Sequence, residues 1–148
     1  FAMFDVVSFT QLILFFIYFI MGYFMIATIM VAVGSSVSEL SDAQSLMGPM
    51  MIMLMIPIFI FPVITDHPQG IVASITSYIP PLTPFIMIMR ISAATEPILI
   101  SEIIFSIAIG YIAVIGMIWM CARIFRIGIL MQGKPPNLWQ LLLWVKQG

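Results

Sequence analysis

Three long apolar segments limit what this chain can fold into more than any other feature. Residues 6–33, 46–64 and 98–121 each come close to the length of about 20 apolar residues that an α-helix needs to cross a bilayer. Because hydrocarbon offers the backbone no hydrogen-bond partners, such segments have to be helical. Only 7% of the residues are charged, against about a quarter in soluble domains. The sequence therefore predicts an all-α integral membrane protein with three transmembrane helices.

The segment between the first two spans, residues 34–45, reads GSSVSELSDAQS. Its small polar residues and its two acids, Glu39 and Asp42, are typical of a tight aqueous connection, and apolar residues at every third position allow one short amphipathic turn. In the second span, we expect Pro49 in the first helical turn. Pro57 lies mid-span and removes the hydrogen bond to the Met53 carbonyl, which predicts a kink. That kink is compatible with plain packing or with a hinge.

The last part of the chain sets the orientation. Arg123, Arg126 and Lys134 gather after the third span, with Lys146 further on and no acid among them. The positive-inside rule makes them candidate cytoplasmic anchors, so the C-terminus is predicted in the cytoplasm and residues 65–97 outside. Residues 138–146, which carry two tryptophans, suit a short helix at the membrane surface, with partner binding as the alternative.

The outer segment, residues 65–97, is too long for a tight turn and too apolar for a solvated loop. It contains two apolar runs of roughly ten residues, a length typical of re-entrant or interfacial helices. Pro80 and Pro81 end the first run, and Thr83 as N-cap with Pro84 in the first turn begins the second. We therefore expect a re-entrant pair over residues 70–94 that packs on the other helices.

Arg90 lies about two turns into the second of these short helices. A charge at that depth is costly unless it reaches the surface or pairs. Two roles stay open for it: an anchor at the interface, or a gate or lipid-headgroup contact. Glu96 and Glu102 are the nearest acids, and Glu102 is interpreted as an interfacial or arginine-paired residue.

The residues that most enzymes need are sparse. The chain has one histidine, His67, in the outer loop, and one cysteine, Cys121, which argues against a hydrolase and against a metal site. It has no phosphate-binding loop of the GxxxxGK[ST] type and no basic cluster for nucleic acid. We expect neither an enzyme nor a cofactor, metal or nucleic-acid site in this chain.

Several short motifs, taken in order, resemble those of the ABC-2-type permeases, and in particular the bacterial sodium-efflux branch. They are an Ala-Gln pair before a proline-bearing span, a Pro-x-Thr-Pro turn followed by an arginine, an Ala-Arg-Ile-Phe-Arg segment closing the last span, and a Gly-Lys-Pro turn. Here they stand at residues 43–44, 81–84 with Arg90, 122–126 and 133–135.

The resemblance implies a membrane subunit of an ATP-driven exporter in the bacterial plasma membrane. It implies six spans per permease, of which these would be the fourth to sixth, with re-entrant helices before the last span forming part of an outer gate. The implied partners are an ATPase that carries ATP and Mg, a second permease copy and membrane lipids.

Because the chain starts on Phe1 without a basic leader, we expect the C-terminal part of a longer protein. The alternative is a membrane scaffold or sensor subunit that transports nothing.

Overall fold

The computed structural model describes residues 8–130 and 138–147, and within these ranges it contains helices and no strand. Within these ranges, six helices follow one another. Three are long and three are short, and in order they are α1 (Phe9–Ser36), α2 (Leu40–Asp66), α3 (Ile71–Ser77), α4 (Thr83–Ala93), α5 (Ile100–Leu130) and α6 (Leu138–Gln147).

Helices α1, α2 and α5 are long and apolar enough to cross a membrane. Their outward surfaces carry large exposed side chains such as Phe16, Phe59 and Ile112. A surface of this kind is stable in lipid and not in water. The prediction of an all-α integral membrane protein is thus confirmed.

The long helices extend further than the sequence analysis predicted. Helix α1 runs to Ser36 and α2 begins at Leu40, so the aqueous connection contains only residues 37–39. Helix α2 starts early because its first turns pack inward: Leu46 is buried in one cluster with Val33 and Ile124. Pro49 consequently lies in the third turn of α2, and the prediction that it lies in the first turn is wrong.

The bounds of the last span also differ from the predicted residues 98–121. Helix α5 begins at Ile100, and it continues past residue 121 to Leu130.

Helix α1 begins with a capping box. The Ser8 hydroxyl accepts a hydrogen bond from the Gln11 backbone amide at 3.2 Å, and the Gln11 side-chain oxygen accepts one from the Ser8 backbone amide at 3.0 Å.

Helices α1 and α5 lie parallel and pack most closely. Tyr18 meets Ser106 near one end, and Val33 lies in one cluster with Ile124 near the other. Between them, Gly110 leaves room for Met21: a Cβ at position 110 would collide with the Met21 sulfur. A small residue at a helix contact lets two backbones approach, which is how helices associate in lipid.

Helix α6 packs across the far end of this pair. Leu141 is buried in the cluster of Val33 and Ile124, and the Arg123 guanidinium donates to the Val145 carbonyl at 2.9 Å. The predicted short helix over residues 138–146 is therefore a helix, and its position at the membrane surface stays a prediction. The expected Gly-Lys-Pro turn at residues 133–135, with Lys134, lies outside the described residues.

Candidate functional site

Helices α3 and α4 form a hairpin, residues 71–93, that lies against the long helices. Helix α4 runs antiparallel to α1. Close to its end the Ile91 carbonyl accepts the Gln11 side-chain amide at 3.4 Å, and at its start Pro84 lies so close to Gly22 that a Cβ there would be 3.3 Å from the proline Cβ. Gly22 is near the middle of α1. The turn of the hairpin therefore reaches about half-way along the long helices.

The turn of the hairpin shows why a threonine stands between the prolines. Pro80 and Pro81 have no N–H, so the Ser77 carbonyl has no helical donor three or four residues on. The buried Thr83 hydroxyl takes that place, lying 2.8 Å from the Ser77 carbonyl and 2.9 Å from the Ile79 carbonyl.

The predicted stop and start of the hairpin are confirmed with one correction. Helix α3 ends before Pro80, and Pro84 lies in the first turn of α4. The N-cap of α4, however, is Leu82 and not Thr83. Thr83 is already helical. Its hydroxyl donates to the carbonyls of Ser77 and Ile79, whereas an N-cap hydroxyl would accept from an amide of α4.

Replacing Thr83 with valine tests this account of the turn. The change keeps the shape and leaves the buried Ser77 carbonyl without a donor, which costs about 1–3 kcal/mol. We expect the stability of the purified protein to fall by that amount in a detergent-denaturation titration. Thr83→Ser, which keeps the hydroxyl, is the matched control and should lose less than half as much. A loss at Thr83→Ser as large as at Thr83→Val would show that the methyl contributes as much as the hydroxyl, and no loss at Thr83→Val would contradict this account of the turn.

Arg90 is the centre of the polar contacts under the hairpin. It is 1% exposed, and its guanidinium donates to oxygens from three other parts of the fold. Nε donates to the Pro68 carbonyl at 2.7 Å, and the two terminal nitrogens donate to the Ser77 hydroxyl at 2.9 Å and to Glu102 Oε2 at 2.7 Å. One side chain thus joins α4 to the loop after α2, to α3 and to α5.

The ion pair shows how the fold lowers the cost of burying the Arg90 charge, which the sequence required either to reach the surface or to pair. The guanidinium does not extend to the surface; it pairs with Glu102, which is 25% exposed. The interpretation of Glu102 as an arginine-paired residue is confirmed, whereas Glu96 lies exposed in the loop before α5. A planar guanidinium with several oxygen acceptors is the form in which a cation tolerates burial.

A second buried polar contact lies one turn further along α5. The hydroxyls of Tyr18 and Ser106 are 2.6 Å apart, both residues are fully buried, and the Ser106 hydroxyl lies 2.8 Å from the Ile103 carbonyl. Tyr111 adds a bond from α5 back to the Ile17 carbonyl at 3.0 Å. Sequence reasoning missed this contact. The available signal was the serine in an otherwise apolar run of α5. A polar side chain within the membrane has a low free-energy cost only where it faces a polar partner.

The other predicted site residues are spread over the fold. Pro57 is buried within α2, which remains one helix through it, so the choice between packing and hinge stays a prediction. On α5, Arg123 contacts the Trp119 ring, with its guanidinium carbon 3.9 Å from the ring centroid, while Arg126 is exposed. His67 is an exposed residue at the end of α2.

The surface next to Arg90 carries a cleft of about 340 Å³, bounded by Asp66, His67 and Glu96. Pro68, whose carbonyl accepts from Arg90, also borders this cleft. Within residues 8–130 and 138–147, no group of three or more histidine, cysteine or acidic side chains is close enough to hold a metal ion. The arrangement is suited to holding helices together and to separating this cleft from an apolar interior.

Comparison with known proteins identifies the family. The model of a family described as ABC-2 family transporter protein matches residues 1–125. The chain belongs to the ABC-2 transporter family. The hairpin and the Arg90 contacts are therefore features of an ABC-2 membrane region. No solved structure matches this ABC-2 chain.

Two curated proteins are similar to the ABC-2 chain. An uncharacterized protein of Methanocaldococcus jannaschii, MJ1024, is 30% identical over 115 residues, which cover 78% of this chain and 28% of the relative. The uncharacterized protein YhaP of Bacillus subtilis is 32% identical over 128 residues, which cover 86% of this chain and 30% of the relative. The chain thus spans less than a third of the length of these relatives.

Proposed function

We propose that this chain is the C-terminal part of the permease domain of an ATP-driven ABC exporter, and that the hairpin of α3 and α4 forms part of its outer gate. The family membership and the three membrane-crossing helices support the permease role. The observation that carries the gate is the position of the hairpin, which reaches the middle of α1 and is held there by a buried arginine.

The dimensions support a hairpin that enters the membrane and returns. Helix α4 has 11 residues and is therefore ~16 Å long, about half of the ~30 Å hydrocarbon core. The turn at its start lies beside Gly22, while its end lies beside Gln11 near the start of α1. Non-helical backbone at such depth is stable only against protein or in a water-filled cavity, and here the turn packs on α1.

The side from which the hairpin enters follows from the cations. Arg123 and Arg126 lie towards the opposite end of the long helices from the hairpin, which the positive-inside rule places in the cytoplasm. The hairpin then opens to the outside. In this orientation the cleft beside Asp66 and Glu96 is an outer vestibule, and Arg90 lies below it.

In the proposed mechanism, an ATPase partner that binds ATP and Mg drives the spans between inward and outward access, with Pro57 as a hinge in α2. The hairpin closes the path when Pro84 is seated on Gly22 and Arg90 is paired with Glu102. When the path opens outward, the hairpin moves away from α1, and water replaces part of these protein contacts. A second permease copy supplies the other half of the path.

The proposal places the protein in the bacterial plasma membrane, surrounded by lipids, with its C-terminus in the cytoplasm. The bacterial setting rests on the resemblance of the short motifs, since the two relatives come from Bacillus subtilis and from Methanocaldococcus jannaschii. The order of the short motifs favours the sodium-efflux branch, although the name of that branch does not identify the cargo, since related permeases export very different compounds.

Purification of the full-length protein with its native partners tests the exporter. We expect an ABC ATPase to co-purify, and its ATP hydrolysis to be faster in the complex than alone. A stable native complex that contains no ATPase would contradict the proposal and favour a scaffold or sensor subunit.

Labelling of single cysteines from outside the cell tests the orientation. Gln69 borders the proposed outer vestibule and Ser38 lies in the connection between α1 and α2, and both are exposed. We expect a membrane-impermeant maleimide to label Gln69→Cys in intact cells and to label Ser38→Cys only after lysis. The opposite pattern would reverse the proposed topology.

A further inference from the structure

An open apolar groove of about 940 Å³ runs between α1 and α5, on the half of the long helices away from the hairpin. Its walls carry large exposed side chains, among them Val31 on α1 and Ile118 on α5. Small residues, including Ala27 and Ala122, also line it and leave space between the larger side chains. The one hydroxyl in the lining, on Thr28, already donates to the Phe24 carbonyl at 2.6 Å. The groove therefore offers hydrocarbon contact and almost no polar contact along its length.

One end of the groove carries a cation. Arg126 lines the groove two turns beyond Ile118, which is a distance of ~12 Å along α5. That distance is close to the ~15 Å depth of one leaflet of the hydrocarbon core. In the proposed orientation, a groove of this length would reach from about the middle of the membrane to an arginine near the level of the headgroups.

The two neighbouring arginines of α5 differ in their contacts. The Arg123 guanidinium is occupied, because it donates to the Val145 carbonyl and lies over the Trp119 ring. Arg126 is exposed and has no salt bridge within the described part of the chain. Arg123 therefore fastens α6 to α5, and Arg126 is available to a ligand in the groove.

We propose that this groove binds one anionic phospholipid of the cytoplasmic leaflet, with an acyl chain between α1 and α5 and the phosphate on Arg126. The apolar walls match the acyl chain, the length matches one leaflet, and the guanidinium complements the phosphate. This inference takes its leaflet from the proposed topology, but it does not depend on transport. Bound lipid would fill the space between two spans that the proposed mechanism moves.

Photo-crosslinking from inside the groove tests the proposal. The full-length protein would carry benzoylphenylalanine at Ile118 and be reconstituted in phosphatidylcholine vesicles with a minor fraction of phosphatidylglycerol. We expect the photo-adducts, identified by mass spectrometry, to contain phosphatidylglycerol at about five times its bulk ratio, the factor that ~1 kcal/mol per cation corresponds to. The same probe at Ile112, which is 69% exposed on α5 and outside the groove, should report the bulk ratio.

Variants at the headgroup end give the decisive comparison. Arg126→Gln should return the adducts at Ile118 to the bulk ratio, whereas Arg126→Lys and the control Lys146→Gln should keep the enrichment. Three results would overturn the proposal: adducts at the bulk ratio in the wild type, enrichment that survives Arg126→Gln, or a cross-link to another segment of the protein. Because the assay uses no ATP, failure of the exporter proposal leaves its outcome unchanged. A reversed topology would show in the Gln69 and Ser38 labelling instead.

Discussion

Replacing Glu102 with glutamine is expected to lower the stability of the protein by about 3 kcal/mol, because the change leaves the Arg90 cation buried without its counter-ion. The arginine is 1% exposed, so water cannot replace the lost carboxylate without opening the hairpin. Its remaining oxygen acceptors, the Pro68 carbonyl and the Ser77 hydroxyl, are both uncharged. A detergent-denaturation titration of the purified full-length protein measures the loss.

A double-mutant cycle separates the ion pair from general damage. Arg90→Met alone is also expected to destabilise, since it leaves the oxygens that the guanidinium satisfied without a donor. The double variant Arg90→Met with Glu102→Gln should lose clearly less than the sum of the single losses, by at least ~1 kcal/mol of coupling. Glu96→Gln is the matched control at an exposed acid and should stay within ~0.5 kcal/mol of the wild type. A loss at Glu102 no larger than at Glu96 would show that the pair contributes nothing.

Locking the hairpin onto α1 with a disulfide is expected to slow ATP hydrolysis by the assembled transporter about tenfold or more, because the proposed cycle requires the hairpin to leave α1. The pair Gly22→Cys and Pro84→Cys suits this test. A Cβ at position 22 would lie 3.3 Å from the Cβ at 84, within a few tenths of an ångström of the ~3.5–4.5 Å that a disulfide needs. The native Cys121 is replaced by alanine so that it cannot interfere.

The same sample after reduction, together with the two single-cysteine variants, provides the controls for this disulfide. Reduction of the disulfide should restore the ATPase rate of the same sample, and each single-cysteine variant should be insensitive to the oxidant. If the oxidised double variant hydrolyses ATP as fast as the reduced one, the hairpin does not need to move. It would then be a static part of the membrane domain.

The strongest sequence signals were those with a local physical cause. The length of the apolar runs predicted three spans, and the prolines at 80, 81 and 84 predicted where one short helix ends and the next begins, because a missing N–H acts at that residue itself. Arg90 stood out for a similar reason: a charge in an apolar helix needs a partner, and Glu102 was one of two acids within reach along the chain.

Contacts between distant segments were beyond sequence reasoning. The Pro68 carbonyl and the Ser77 hydroxyl meet Arg90 only because the hairpin folds back over its own loop. Tyr18 and Ser106 are 88 residues apart and meet through the register of α1 on α5, which no local pattern specifies. The early start of α2 has the same origin, since Leu46 is held in a cluster with residues from α1, α5 and α6.

The most direct test of the outer gate is the accessibility of Ile79 to water in two nucleotide states. Ile79 is 41% exposed and lies at the turn of the hairpin, where its carbonyl accepts from Thr83. A spin label there, on the full-length protein with its ATPase in lipid vesicles, reports collisions with oxygen in the membrane and with a nickel complex in water. We predict protection from nickel without nucleotide and a clear gain of nickel accessibility when ATP is trapped. A label that meets nickel in both states would place the turn at the surface, and one protected in both states would show a hairpin that does not open.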